Sequence, residues 1–218
     1  MVESIYDNFL ALGEGKQERI RTAAMREFGR YGYKKTSVEQ IAKKANIAKG
    51  MVFHYFGSKQ GLFEYLSSYA CEVIVKYFGD LEEALGELDF IEQYHYATQT
   101  KLKAFLEYPY VFELLTMFFM HPENLEISES IEEKYKRVID LRSKVFAVML
   151  NSDNTRSFRD DISTDKAKKY IAWLIDGYSQ YLIGNLGRKP LADMNLDDYW
   201  DEFDEILCDL KRLFCRPE

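Results

Sequence analysis

Cysteine is scarce in this 218-residue chain, and the three present, Cys71, Cys208 and Cys215, are odd in number and share no CxxC spacing. That excludes a disulfide framework and a thiolate zinc site as organising features, leaving three ordinary thiols. Only four prolines occur, and Gly-rich or β-branched alternating segments are few, so little of the chain is suited to sheet. No long hydrophobic run exists. The most apolar stretch, Val111 to Met120, is interrupted by Glu113 and falls well below the ~20 residues of a membrane-spanning helix. No basic, apolar leader pattern opens the chain, so the expectation is a soluble cytoplasmic protein with no membrane partner. GxSxG, P-loop, GxGxxG and HExxH patterns are all missing, and the acids sit mostly on solvated helix faces, which argues against an enzyme. No metal or cofactor is expected either: a site built on His95 and His121 would need a third ligand at recognisable spacing, and none appears.

What is present is helical periodicity almost throughout, which predicts an all-α chain. A first helix is expected from about Lys16 to Tyr31, with Ile20, Ala23, Ala24 and Phe28 on one stripe. It stops at Gly32, a residue able to take the left-handed conformation after a helix end. A second begins at Thr36 or Ser37, where Thr36-x-x-Glu39 and Ser37-x-x-Gln40 both fit a capping box, and it buries Val38, Ile41, Ala42 and Ala45. Asn46 tolerates positive φ and permits a sharp turn. A third short helix starts near Ala48, with Val52 and Phe56 four residues apart on its inner face. Three short helices with a tight turn before the third have the geometry of a helix-turn-helix, whose last helix enters the DNA major groove. Lys49, Met51, Phe53, His54 and Tyr55 then fall largely outside the small core, and Gly50 lets a partner approach the backbone closely.

Charge is segregated in the same direction. Residues 16 to 59 hold eleven Lys or Arg against three Glu, a net +8, within a chain whose formal net charge is −7. A local basic face supplies salt-dependent attraction to phosphate, while the acidic remainder keeps the rest of the molecule away from DNA.

The stretch AAMREFGRYGYKKTSVEQIAKKANIAKGMVFHYFGSKQGLF, Ala23 to Phe63, resembles the N-terminal domain of the TetR family of bacterial transcriptional regulators. An aromatic-Gly pair, Thr/Ser, Ile-Ala, a turn, Gly, an aromatic cluster and Ser-Lys recur in the family's order, and the resemblance covers roughly the first 65 residues. It implies a DNA-contacting set of Ser37 at the start of the second helix, Lys49, Gly50, Met51, Phe53, His54 and Tyr55 on the third, and Lys59 at the start of the fourth. Phe53 stands where the family commonly has Tyr, and Ala48 where a capping Ser is frequent, a loss of about 0.5 to 2 kcal/mol of local stability. The implied division is a DNA-binding domain at 1–60, with the helix-turn-helix at about 37–56, and a helical ligand-binding and dimerisation domain at 61–218.

Beyond Ser58, which is expected to cap a long fourth helix, helices are expected near 90–107, 110–121, 127–151, 165–186 and 196–214. Two apolar stripes mark the last, and with Tyr178 they nominate Tyr199, Phe203, Ile206 and Leu210 as a homodimer seam; an ordinary two-sided core helix fits the pattern equally. Tyr94, Phe105, Phe112, Met117, Phe118 and Trp173, with Gln99 or Gln180 as polar group, can line an apolar cavity for a small apolar or amphipathic effector, or simply form core. The expected partners are therefore double-stranded operator DNA, a second copy of the chain and an effector. The function expected is a dimeric regulator, a repressor that its effector releases from the operator. A lipid-carrying protein with a vestigial head and a DNA-bound adaptor for another protein are the alternatives.

Overall fold

A computed structural model of the protein describes residues 6–120, 128–151, 153–186 and 197–217. Eleven helices are found among them: α1 (Asp7–Leu10), α2 (Glu14–Lys35), α3 (Val38–Lys44), α4 (Lys49–Phe56), α5 (Lys59–Phe78), α6 (Leu81–Gly86), α7 (Phe90–Glu107), α8 (Pro109–Met120), α9 (Glu129–Asn151), α10 (Thr164–Leu186) and α11 (Asp197–Phe214). Phe158 and Cys215 form an isolated antiparallel bridge. The long helices lie where the periodicity places them. The two short ones, α1 and α6, have too few residues to show a helical period.

Two compact units form, one from residues 1–76 with 107–138 and the other from 77–106 with 139–218. This grouping by packing differs from the 1–60 and 61–218 division, which is one of role. In the first unit α2 lies along α8, and the contact is close: a Cβ added to Gly29 would come within 3.1 Å of the Glu113 Cβ. Ile20, Ala24 and Phe28 of α2, Ile41 and Ala42 of α3, Val52 and Phe56 of α4, and Phe63 and Leu66 of α5 are all buried, with α2 on α3, α3 on α4 and Phe28 edge-on to Phe63 at 5.0 Å. The second unit has its own core, in which Phe90, Ile91 and Tyr94 of α7, Ile171 and Ile175 of α10, and Phe203, Leu207, Leu210 and Phe214 of α11 come together.

Turn chemistry sets the path of the first unit. Gly32, at φ 71° and ψ 167°, interrupts the long α2 where the helix was expected to stop. Asn46 holds φ 54°, and the Ile47 N–H reaches back to the Ala42 carbonyl at 3.0 Å, closing α3 as a left-handed cap does. The capping boxes expected at Thr36 and Ser37 do not form: Ser37 precedes α3 without a side-chain cap bond. Thr36 is buried instead, its hydroxyl within donating distance of the Glu27 and Gly32 carbonyls at 3.0 and 2.7 Å. The hydroxyl thus offers a donor to carbonyls of the kinked α2, where the Thr36 N–H already reaches Gly32 at 3.3 Å.

Candidate nucleic-acid interface

The second and third helices of the head are held at fixed angles by buried polar and apolar contacts. Lys44 of α3 pairs with Glu27 of α2, a carboxylate that is itself buried, so the pair fastens α3 to α2. Val52 and Phe56 anchor α4 from within, both buried as their spacing requires. Gly57, at φ 71°, ends α4, and the Ser58 hydroxyl accepts the Gly61 N–H at 2.9 Å to begin α5. The turn between them is tight: a Cβ on Gly61 would lie 2.1 Å from the Phe56 carbonyl oxygen, so this position has room for no larger residue.

The outer face of α4 presents Lys49, Gly50, Phe53 and His54, all exposed, with Met51 half-buried. Phe53 is 42% exposed, and Lys49 reaches Glu39 of α3 at 3.5 Å. Ala48 precedes the helix without a side-chain cap bond, as its methyl dictates. Gly50 has no internal reason to be glycine, since a Cβ there would meet nothing within 4 Å. Its missing side chain leaves the start of α4 open to close approach from outside.

Tyr55 corrects the sequence reading. Expected outside the core, it is only 3% exposed, with its ring 6.0 Å from Phe9 and the Lys16 ammonium donating to its hydroxyl at 3.4 Å. The reason is α1, unforeseen, which lays Phe9 against Tyr55, Phe56 and Tyr65. Ser37 stays exposed at the start of α3. Lys59 is half-buried at the start of α5, its ammonium 4.7 Å from the Tyr33 ring centroid and donating to the Lys34 carbonyl at 3.3 Å. Partial burial holds its pKa below the ordinary lysine value.

In the second unit, Phe203 and Leu210, expected at a partner seam, are buried in the unit's own core with Leu207 and Phe214. Their four, three, four spacing is a self-packing stripe, which pattern alone could not separate from a seam. Ile206 packs half-buried against that core. Tyr178, also half-buried, donates to the Tyr199 carbonyl and the Glu202 carboxylate, each at 3.1 Å. Among the described residues of this unit, the exposed large apolar side chains lie elsewhere: Tyr96 and Leu106 of α7, Tyr170, Trp173, Leu174 and Tyr181 of α10, and Leu213 of α11.

Of the expected effector residues, Tyr94 is core, set against Phe90. Gln99 is exposed beside His95. Phe105 of the second unit and Phe112 of the first are half-buried, and Trp173 is 60% exposed. The side chains of Met117, Phe118 and Gln180 lie outside the described residues. A cleft of about 480 Å³ in the second unit runs between Asn151, Asp153, Asp165, Lys168, Lys169 and Trp173. From the expected set it takes Trp173, and its rim is charged where an apolar cavity was expected. No group of three or more His, Cys, Asp and Glu suited to a metal ion occurs among the described residues.

A tight turn at Asn46 between α3 and α4, an inner face locked by Val52 and Phe56 and an open outer face make the head a helix-turn-helix module. The model of the bacterial regulatory proteins of the tetR family matches residues 20–66. Over these residues the chain is similar to the tetR family of bacterial regulatory proteins. The uncharacterized HTH-type transcriptional regulator YhgD of Bacillus subtilis is 29% identical over 133 residues, 57% of this chain and 63% of that one. The HTH-type transcriptional regulator RutR of Escherichia coli K12 is 26% identical over 137 residues, 63% of each chain. Both matches span less than two thirds of the relatives' own lengths. A TetR family transcriptional regulator from Chloroflexus aurantiacus has the same fold, with a TM-score of 0.53 over 97% of this chain and 98% of that one at 16% identity.

Proposed function

We propose that the protein is a dimeric, sequence-specific DNA-binding transcriptional regulator, a repressor that a small apolar or amphipathic molecule releases from its operator. The observation that carries the DNA-binding part is the outer face of α4: an exposed Phe53 one turn from Lys49, next to a glycine that the fold itself does not require. An exposed aromatic ring is costly in water and useful against thymine methyls and sugars. Lys59 supplies phosphate attraction, Lys49 a groove-facing cation whose charge Glu39 offsets, Ser37 a hydroxyl at the start of α3, and Met51 and His54 further groove contacts. Tyr55 acts from the core, placing its hydroxyl and the bound Lys16 beside the helix.

The dimer part rests on α10. Tyr170, Trp173, Leu174 and Tyr181 fall on one side of that helix at three- and four-residue steps, with Gly177, where a Cβ would touch nothing within 4 Å, between them. A contiguous exposed apolar stripe of this kind marks a contact surface. A second copy is its occupant, because reading a palindrome takes two heads spaced by turns of about 34 Å. The effector part rests on the large helical region that accompanies the head.

The test is electrophoretic mobility shift with the duplex upstream of the protein's own gene, titrated with salt and then with lipid and small-molecule fractions of cell extract. The reading expects a steep fall of log K with log salt and release by one fraction. Binding that is weak and identical on scrambled DNA would contradict it, and binding that no fraction releases would remove the effector.

A further inference from the structure

We propose that Tyr33 is a positioning residue for DNA binding, holding the Lys59 ammonium in place for a backbone phosphate without neutralising it. This rests on the reading of Lys59 as a phosphate contact. Tyr33 follows Gly32, whose positive φ turns the chain at the end of α2, and its ring is seated against Phe63, at 5.0 Å between centroids, and parallel to Phe28 at 6.0 Å. The ring seated against these two buried phenylalanines also lies under the Lys59 ammonium, 4.7 Å from its centroid. The Lys34 carbonyl, 3.3 Å away, takes one of the three ammonium protons, leaving two donors for a ligand.

The chemistry of these partners matters more than their number. Lys49 is restrained by Glu39, whose negative charge offsets the lysine and repels a phosphate. A π face and a carbonyl restrain Lys59 through a quadrupole and a dipole, so its full positive charge remains available. A free lysine must be ordered when it binds, at a cost equivalent to a factor of about two to ten in affinity. With Tyr33 beneath it, that ordering is completed when the chain folds.

The experiment measures affinity and its salt dependence on a random-sequence duplex, which isolates phosphate contacts. Four variants are compared with wild type: Lys59→Ala, Tyr33→Leu, Tyr33→Phe and the Lys59→Ala/Tyr33→Leu double variant. Lys59→Ala should make the log K against log salt slope shallower by about one unit. Tyr33→Leu should weaken binding about two- to tenfold with the slope unchanged, since the charge is still present. Tyr33→Phe, which keeps the ring, should bind as wild type does. In the Lys59→Ala background Tyr33→Leu should cause no further loss.

An equal loss from Tyr33→Leu in both backgrounds makes Tyr33 a packing residue and overturns the proposal. So does tighter binding by Tyr33→Leu, which would mean the ring competes with phosphate. Should Leu loosen the core in a thermal melt, Tyr33→Met, closer to the ring in length, is read by the same comparison of backgrounds. If Lys59→Ala alone changes neither affinity nor slope, the fault lies with the phosphate-contact reading itself.

Discussion

Both units bury aromatic side chains in their cores, and they differ in the ones they expose. In the first, rings such as Phe9, Phe28, Phe56 and Phe63 are fully buried, and Phe53 of α4 stands out of the surface one helical turn from Lys49. In the second, Tyr170, Trp173, Leu174 and Tyr181 line the outside of a single helix. An isolated ring near a lysine suits a polar, negatively charged partner with small apolar patches, as a DNA groove is. A continuous apolar stripe suits another protein helix. On the proposed function, the contrast separates the surface offered to a nucleic acid from the one offered to a second copy of the chain.

The largest effect should come from placing charge on the second unit's two apolar faces. Leu210→Asp buries an unpaired carboxylate at a cost of about 3 to 5 kcal/mol and should unfold that unit, seen as lost helicity by circular dichroism. Trp173→Asp should leave helicity and melting of the protomer nearly unchanged while converting dimer to monomer in light scattering. Affinity for a palindromic site should then fall by a factor of about 10² to 10⁴ as the two heads act singly. Similar behaviour of both variants would erase the distinction between core stripe and contact stripe.

Two glycines of the first unit sharpen the comparison at smaller scale. Gly61→Ala drives a Cβ into the Phe56 carbonyl and should destabilise the protein by about 1 to 3 kcal/mol. Gly50→Ala meets nothing and improves helix propensity, so it should raise stability by about 0.5 to 1 kcal/mol while weakening DNA binding. Thermal melts and binding isotherms on the same samples read both signs. A Gly50→Ala protein that is more stable and binds normally would leave the glycine without a role.

The smallest effect concerns thiols. Burial pushes the Cys71 pKa up to about 11, so at pH 8 it should stay protonated and unreactive. Exposed Cys208 should be labelled first by a disulfide reagent, without loss of DNA binding. Prompt labelling of Cys71 would mean that the core around α5 opens.

The head was legible because its structure depends on local chemistry that single residues announce. Gly32 and Asn46 take the positive φ expected of them, Ser58 caps α5, and Val52 and Phe56 face inward. What escaped was tertiary. Four residues of α1 carry no period, yet they bring Phe9 onto Tyr55 and so decide which way that ring points. Thr36 had the spacing of a cap, but the kink at Gly32 gave its hydroxyl nearer acceptors. On α11, Phe203, Leu207, Leu210 and Phe214 follow a repeat that serves self-packing and partner-packing alike, so the pattern could not say which side of the helix was covered. Effector residues were least legible, because Tyr94 and Trp173 have the composition of a cavity wall whether they end in core, as one does, or on the surface, as the other does.

The central claim is that the exposed face of α4 reads a DNA sequence, and selection from a random duplex library tests it most directly. Wild type should enrich one inverted-repeat motif. The Phe53→Ala/His54→Ala variant should retain binding to random duplex and lose or change the enriched half-site, a discrimination of about 1 to 3 kcal/mol per contact. Enrichment of the same motif by both proteins, or of no motif by the wild type, would contradict the account.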